Sequence, residues 1–146
     1  MRWINPVERS AGQNGPMSLA PGIVLVVDDD AAVRAALKFV LEVEGFRGRL
    51  YDSPEAVLDE PDLPQRACLV VDYRMPRIDG IELIERLRER EVALPAILIS
   101  ARVTKQLHRL AERIGLVNVL EKPLSDAALV DSIRSALGCR PYRPTT

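Results

Sequence analysis

The stretch GIVLVVDDDAAVRAAL, residues 22–37, contains the pattern that decides the fold. Its apolar run Ile23–Val27 does not alternate with polar residues, which is typical of a strand buried on both faces of a parallel sheet. Three consecutive carboxylates follow, and a pattern of helical period starts directly after them. A buried strand that ends in acidic residues and leads into a helix predicts the first half of a βαβ unit.

The composition of the chain narrows the class of protein before any further motif is considered. A length of 146 residues with 47% hydrophobic content suffices for one domain with a core. A net charge of -1 disfavours direct nucleic-acid binding, and the apolar runs are too short to span a membrane. Cys68 and Cys139 lie far apart without the spacing of metal ligands. We therefore interpret both as reduced thiols, which indicates a cytoplasmic protein.

Short apolar runs alternate with segments of helical period along residues 22–138, which predicts an α/β domain with a parallel sheet and five helices. The predicted strands are Ile23–Val27, Arg47–Tyr51, Cys68–Val71, Ala96–Ile99 and Asn118–Leu120. One short helix is expected to start after a capping side chain, Ser53. Residues 1–21 lack any apolar period and are rich in Gly, Pro, Asn and Ser, so we expect a flexible N-terminal extension in which Met17 is an alternative start. Residues 139–146 contain two prolines after a helix-ending glycine and are expected to form a C-terminal tail.

Polar residues follow four of the predicted strands, and all of them are expected at the same edge of the sheet. In chain order they are Asp28, Asp29, Asp72, Ser100 and Lys122. The carboxyl ends of parallel strands lie at one edge, where open α/β sheets bind their ligands. Three carboxylates at that edge repel one another unless a cation lies between them. Magnesium fits, because it takes one or two carboxylates together with waters and phosphate oxygens.

Several of these residues also have ordinary explanations when each is taken alone. An Asp between a strand and a helix caps the helix, and Asp30 fits this role best. Lys122 is able to serve simply as a salt-bridge partner of the acidic cluster, and Ser100 by itself indicates nothing. Only their combination at one edge of the sheet is specific.

The segment VVDYRMPRIDG, residues 70–80, resembles the receiver domain of two-component response regulators. The resemblance extends over nearly all of residues 22–138, and it includes VLVVDDD at 24–30, LVVDYRMPRIDG at 69–80, AILISA at 96–101 and EKP at 121–123. It implies the fold of that family, a single doubly wound domain with a five-stranded parallel sheet in the flavodoxin-like order 2-1-3-4-5 and five helices.

The resemblance also implies a phosphoacceptor and a metal site. Asp72 is the expected phosphoacceptor, and the expected ligands of Mg²⁺ are the side chains of Asp28, Asp29 and Asp72 and the backbone carbonyl of Arg74. Such a site suits the chemistry, because a carboxylate attacks phosphorus only when the negative charge of both groups is offset. The expected product is an acyl phosphate on Asp72.

Two further residues are expected to contact the phosphoryl group. The resemblance implies that Lys122 is the phosphate-binding cation and Ser100 the switch hydroxyl, and that the peptide bond before Pro123 is often cis. Val119 stands where receivers commonly carry an aromatic ring that moves with the switch hydroxyl. Because that ring is missing, the sequence predicts an output change that relies mainly on backbone shifts.

Arg74 and Arg102 lie two residues beyond the expected phosphoacceptor and the expected switch hydroxyl. In receivers these two positions flank the path of the hydrolytic water. We hypothesise that the two cations shield the acyl phosphate and prolong its lifetime. The alternative is that both guanidinium groups lie in solvent without effect.

The expected partners also follow from the resemblance. The phosphoryl donor is expected to be a sensor histidine kinase or a phosphotransfer protein, because His108, the only histidine of the chain, lies on the polar side of a predicted helix and is expected to be solvated. The expected target is a downstream effector protein, and a homodimer is a further expectation. Nine residues follow Leu137, so the chain is expected to be either a stand-alone regulator or a fragment of a longer one.

Three classes of function remain open at this point. The first is a phosphorylation-activated signalling domain, which is not an enzyme beyond promoting its own phosphorylation and dephosphorylation. The second is a pseudo-receiver that binds partners without phosphorylation, for which Val119 is the one indication and against which Asp72 argues. The third is a magnesium-dependent hydrolase with an aspartyl nucleophile, which Arg74 disfavours because that class of enzyme needs a second Asp at this position.

Overall fold

The computed structural model describes residues 22–138. Its five strands are β1 Ile23–Val27, β2 Arg47–Tyr51, β3 Cys68–Asp72, β4 Ala96–Ser100 and β5 Asn118–Glu121. They form one parallel sheet in the order β2-β1-β3-β4-β5, which confirms the predicted α/β fold and strand order. The expected extension 1–21 with Met17, the tail 139–146 and the thiol of Cys139 lie outside the described residues and stay predictions.

The helices alternate with the strands and are α1 Ala31–Val43, α2 Pro54–Leu58, α3 Gly80–Glu89, α4 Lys105–Arg113 and α5 Asp126–Gly138. Four of them start after a capping residue whose side-chain oxygen accepts a hydrogen bond from a first-turn amide, namely Asp30, Ser53, Asp79 and Thr104. The capping roles predicted for Asp30 and Ser53 are therefore confirmed. Within residues 22–138, the helices lack the combination of length and apolar character that crossing a membrane requires.

Three strands extend one residue beyond their predicted ends. Asp72, Ser100 and Glu121 are the last residues of β3, β4 and β5, so the prediction that Asp72 and Ser100 follow their strands is wrong by one residue. The strands continue because Asp72 pairs with Ile99, and Ser100 pairs with Glu121, in the parallel ladders. The backbones of Asp72 and Ser100 are therefore held by the sheet rather than by a loop.

Helices cover both faces of the sheet. On one face α1 and α5 pack over the strands, where Leu37 and Ile133 belong to the same core cluster. On the other face α2 and α3 contribute Val57 and Leu83 to a second cluster, and α4 adds Leu107 to a third. The strands β1, β3 and β4 are enclosed between these layers. Apolar residues therefore make up most of each strand, and the polar residues lie at the carboxyl ends.

Candidate functional site

Three carboxylates meet at the carboxyl edge of β1 and β3. Asp28 and Asp29 directly follow β1, Asp72 ends β3, and the two strands are neighbours in the sheet. One carboxylate oxygen from each residue lies within 4.8 Å of the others. Asp28 and Asp72 are buried, with 2% and 6% of their surface exposed, whereas Asp29 is exposed. The tertiary structure therefore brings the three predicted acidic residues together.

Lys122 supplies a cation next to this acidic cluster. Its Nζ lies 3.0 Å from Oδ1 of Asp72 and 3.8 Å from Oδ2 of Asp28. The backbone of Lys122 is anchored at this edge because its N–H donates to the carbonyl of Ser100 at 2.9 Å. The following Lys122–Pro123 peptide bond is cis, as the resemblance implied.

The charged groups in this cluster shift one another's pKa values. Burial raises the pKa of Asp28 and of Asp72, neighbouring carboxylates add to the rise, and hydrogen bonds and the charge of Lys122 oppose it without cancelling it. Burial alone lowers the pKa of Lys122, but the hydrogen bond to Asp72 and the nearby negative charges outweigh it, so the pKa of Lys122 is raised. A single ammonium group thus leaves the cluster short of positive charge.

The side chain of Asp28 shows that a further cation fits. Its Oδ1 accepts a hydrogen bond from the N–H of Asp30 at 2.9 Å, while its Oδ2 is buried without a hydrogen-bond partner among the described residues. Leaving a buried carboxylate oxygen without a hydrogen bond is costly, the Lys122 ammonium at 3.8 Å is too distant to donate one, and a cation bound to the oxygen offsets that cost. Carboxylate oxygens from Asp28, Asp29 and Asp72 are the donors that Mg²⁺ prefers, so these residues suit that ion. A metal-ligand role for the carbonyl of Arg74 stays a prediction.

Ser100 ends the neighbouring strand β4, and its hydroxyl is hydrogen-bonded to the loop that follows this strand. Oγ donates to the carbonyl of Arg102 at 2.8 Å and accepts from the N–H of the same residue at 3.2 Å. A phosphoryl group on Asp72 has to compete with these two hydrogen bonds for the hydroxyl. The switch role of Ser100 therefore stays a prediction, and the described conformation is the one in which the loop holds it.

Tyr73 is a residue near the site that the sequence analysis missed. Its half-buried side chain packs against the apolar cluster that contains Leu98 and Leu107, and Val119 packs against the same cluster. Val119 has no ring, whereas Tyr73, which directly follows Asp72 in the chain, brings an aromatic ring to the same cluster. The signal available in the sequence was an aromatic residue immediately after the acidic strand end.

A cavity of about 470 Å³ adjoins the site between the carboxyl ends of β3 and β4 and helix α4. Arg74 and Arg102 both line it, together with Tyr73, Ser100 and Leu107. Both arginines are exposed, and the guanidinium carbon of Arg74 lies 5.3 Å from the centre of the Tyr73 ring. The two cations of the shielding hypothesis thus line one cavity, and their effect on water stays a hypothesis.

Gly80 allows the loop after β3 to return close to the acidic strand end. A Cβ atom at this position would lie 2.6 Å from the carbonyl oxygen of Asp72 and 2.9 Å from Cδ1 of Leu98. These distances are well below van der Waals contact, so only glycine fits without a shift of the backbone. The N–H of Gly80 donates to the carbonyl of Tyr73 at 2.8 Å, which holds the loop against β3.

Two residues with reactive side chains have ordinary environments. Cys68 is a free cysteine buried at the start of β3, and burial raises the pKa of its thiol to about 12, which makes it a poor nucleophile. His108 is exposed on α4, with its Nδ1 3.9 Å from Oε2 of Glu112. Its solvated environment agrees with the sequence-based expectation.

Comparison with known proteins relates this site to a family. The sequence matches the response regulator receiver domain over residues 24–134. It is 38% identical over 116 residues to the transcriptional regulatory protein FixJ of Bradyrhizobium diazoefficiens, which covers 80% of this chain and 57% of FixJ. The C4-dicarboxylate transport transcriptional regulatory protein DctD of Pseudomonas aeruginosa is also 38% identical, over 80% of this chain and 25% of DctD.

The similarity extends to solved structures. The crystal structure of FixJ-N superimposes with a TM-score of 0.76 and 31% identity, and the match covers 86% of this chain and 100% of that one. The aligned part of the chain spans little more than half the length of the FixJ relatives, at 54% to 57%.

Proposed function

The chain belongs to the response regulator receiver domain family, and we propose that it is a phosphorylation-activated switch whose phosphoacceptor is Asp72. One observation carries the proposal. A buried Asp at a strand end has two further carboxylates within 4.8 Å and an ammonium group at 3.0 Å. A nucleophile, a set of metal ligands and a phosphate-binding cation are the three components that phosphoryl transfer to a carboxylate needs.

In the proposed reaction, a carboxylate oxygen of Asp72 forms a bond to phosphorus. The bond between phosphorus and the imidazole nitrogen of a phosphohistidine donor breaks, and its electron pair stays on that nitrogen. Lys122 binds one oxygen of the transferred group as a point charge, because its Nζ already lies 3.0 Å from the nucleophile. The product is an acyl phosphate on Asp72.

We infer that the carboxylates of Asp28, Asp29 and Asp72 hold a Mg²⁺ ion. When bound, this ion offsets negative charge on the phosphoryl oxygens. The N–H of Asp30 hydrogen-bonds to Oδ1 of Asp28, whereas Oδ2 has no hydrogen bond and would be available to hold the ion. Arg34 donates to the backbone carbonyl of Asp28 at 2.6 Å, which steadies the turn that carries both β1 carboxylates.

The signal is proposed to leave the site through Ser100. Its hydroxyl exchanges the carbonyl of Arg102 for a phosphoryl oxygen, which frees the loop between β4 and α4. Tyr73 lines the cavity under that loop and stands in for the ring that Val119 lacks.

The partners are proposed from the family. The donor is a sensor histidine kinase or a phosphotransfer protein, and the target is a downstream effector protein. Homodimerisation and a cytoplasmic location also stay predictions.

Intact-mass measurement tests the proposed function. The chain is incubated with Mg²⁺ and a small phosphodonor, and the wild type is compared with Asp72→Asn. We expect one phosphoryl adduct on the wild type, none on the variant, and a strong loss of adduct when EDTA removes the metal. No adduct on either protein would favour the pseudo-receiver, whereas steady turnover of the donor without an adduct would favour the hydrolase.

A further inference from the structure

The loop between β3 and α3 contains a residue with an unusual backbone conformation. Arg77 has a φ of 70°, in the left-handed region that residues other than glycine seldom adopt. Its neighbours restrict it, because Met75 and Ile78 are buried in a core cluster and the N–H of Ile78 donates to the carbonyl of Pro76 at 2.8 Å. Left-handed backbone at such a residue persists only where its surroundings hold it, and it is concentrated at functional sites.

The side chain of Arg77 joins this loop to a neighbouring helix. Its Nε donates to Oε2 of Glu55 at 3.0 Å, and its Nη2 donates to Oε1 of the same carboxylate at 3.5 Å. A guanidinium that meets both oxygens of a carboxylate is restrained in orientation as well as in position. The hydrogen bond from Arg77 also holds the pKa of Glu55 below its ordinary value, so the carboxylate is charged at neutral pH.

This ion pair links two segments that lie on either side of β1. Glu55 is in the first turn of α2, which follows β2, whereas Arg77 follows β3. In the sheet, β2 and β3 are the two neighbours of β1, which leads directly into Asp28 and Asp29. The ion pair therefore connects the segments that flank the two carboxylates of β1, on the face of the sheet that α2 and α3 cover.

The loop that contains Arg77 carries part of the proposed metal site. It begins directly after Asp72 and includes Arg74, whose carbonyl is an expected ligand of Mg²⁺. The side chains of Arg77 and Glu55 are 69% and 36% exposed, and exposed ion pairs add little to the stability of a whole domain. We therefore expect this contact to act locally, on the conformation of the loop.

We propose that Arg77 is a positioning residue of the acidic site. Its ion pair with Glu55 holds the loop after β3 in the conformation in which the site binds Mg²⁺ most tightly. Neither residue is among the expected metal ligands or the expected phosphate contacts. The inference rests on the proposed function, because it concerns the metal ion of that site.

A double-mutant cycle on Mg²⁺ binding tests this inference. Isothermal titration calorimetry with MgCl₂ alone compares the full wild-type chain with Glu55→Gln, Arg77→Gln and the variant that carries both changes. Each single change should weaken Mg²⁺ binding about two- to fivefold, the range that an exposed ion pair supplies. The double variant should bind no more weakly than either single one, because the second change removes nothing once the pair is broken.

The sign of the Arg77→Gln effect separates positioning from long-range electrostatics. Removing a positive charge near an acidic site would by itself tighten the binding of a cation, whereas loss of the positioning contact weakens it. Arg77→Lys keeps the charge and one contact, so it should retain part of the affinity. Hydrogen exchange of residues 73–79 in EDTA gives a metal-free measurement, and exchange should be faster in both single variants than in the wild type.

The matched control is the double variant Glu44→Gln, Arg134→Gln. It removes another exposed ion pair, which joins the C-terminal end of α1 to α5 with Nη2 of Arg134 2.7 Å from Oε1 of Glu44. Wild-type-like Mg²⁺ affinity and loop exchange in this control support the inference. An equal loss of affinity in the control overturns it, because the effect would then follow from any broken ion pair.

Three other results would contradict the proposal. Unchanged or tighter Mg²⁺ binding by Arg77→Gln overturns it, and so do additive losses in the double variant, because the two side chains would then act independently. A wild type that binds no Mg²⁺ overturns the proposed metal site itself. This last result is distinct from the others, since they all require a wild type that binds the ion.

Discussion

Strands β3 and β5 both end at the functional edge of the sheet, yet they are packed differently. All five residues of β3 are buried, and the strand lies between β1 and β4. None of the four residues of β5 is buried, and the strand is at the edge of the sheet. The candidate phosphoacceptor Asp72 ends the first strand, and Val119 lies on the second.

On the proposed function, this difference in packing separates the strand that carries the nucleophile from the strand that responds to phosphorylation. A nucleophile has to stay in a fixed position relative to the metal ligands, and burial on both faces of β3 provides that rigidity. A segment that reports phosphorylation needs fewer restraining contacts than the nucleophile, and β5 is an edge strand with none of its four residues buried. We therefore expect structural change on phosphorylation to concentrate at β5 and α4.

Matched valine truncations test this comparison most strongly. Val71→Ala in β3 removes methyl groups from a side chain with no exposed surface, and we expect it to lower the free energy of unfolding by about 2–3 kcal/mol. Val119→Ala on the half-exposed edge strand should cost less than about 1 kcal/mol. Urea denaturation followed by circular dichroism measures both values. Equal losses would show that β5 is packed as tightly as β3.

Removing the buried charge of Asp28 is expected to give the next largest change in stability. Raised pKa values of Asp28 and Asp72 mean that the folded protein holds these protons more tightly than the unfolded chain does. Their contribution to the stability of the metal-free protein therefore falls as the pH rises from the ordinary value of 3.8 through the raised folded values. Asp28→Asn should accordingly stabilise the metal-free protein near neutral pH by about 1 kcal/mol.

Scanning calorimetry in EDTA and in Mg²⁺ checks this prediction. Mg²⁺ should raise the melting temperature of the wild type and have little effect on Asp28→Asn, because the variant lacks one proposed ligand. The control Asp62→Asn, at an exposed position, should behave like the wild type in both buffers. An Asp28→Asn protein that responds to Mg²⁺ as strongly as the wild type would contradict the metal site.

The shielding hypothesis predicts the smallest effect. Replacing Arg74 by Asn and Arg102 by Ser should shorten the lifetime of the acyl phosphate a few-fold, which corresponds to less than about 1 kcal/mol in the barrier. Dephosphorylation is followed by intact mass after the phosphodonor is removed. Arg66→Asn, which lies outside the cavity, is the control. Unchanged lifetimes in the double variant would leave both guanidinium groups as solvated side chains without a role in hydrolysis.

Much of the fold follows from local sequence patterns. Ile23–Val27 contains no polar residue, as expected of a strand at the centre of a sheet, and Asp30 and Ser53 cap the helices that directly follow them. The strand ends at Asp72 and Ser100 were misplaced by one residue because pairing with a neighbouring strand, not local composition, decides where a ladder stops.

The side-chain contacts around the site could not be predicted from local sequence patterns. Three features depend on which rotamer a side chain takes against its neighbours. They are the packing of Tyr73 and Val119 against one cluster, the two hydrogen bonds between Ser100 and Arg102, and the lack of a hydrogen bond at Oδ2 of Asp28.

The sequence by itself determined the order of strands and helices, the edge at which the acidic residues collect and the family, because periodicity, caps and motif spacing act over a few residues at a time. Only the tertiary structure decided that Lys122 lies 3.0 Å from Asp72 and that Tyr73 packs against the apolar cluster that contains Leu98. These features join segments that are distant in the chain, so packing of the whole domain sets them.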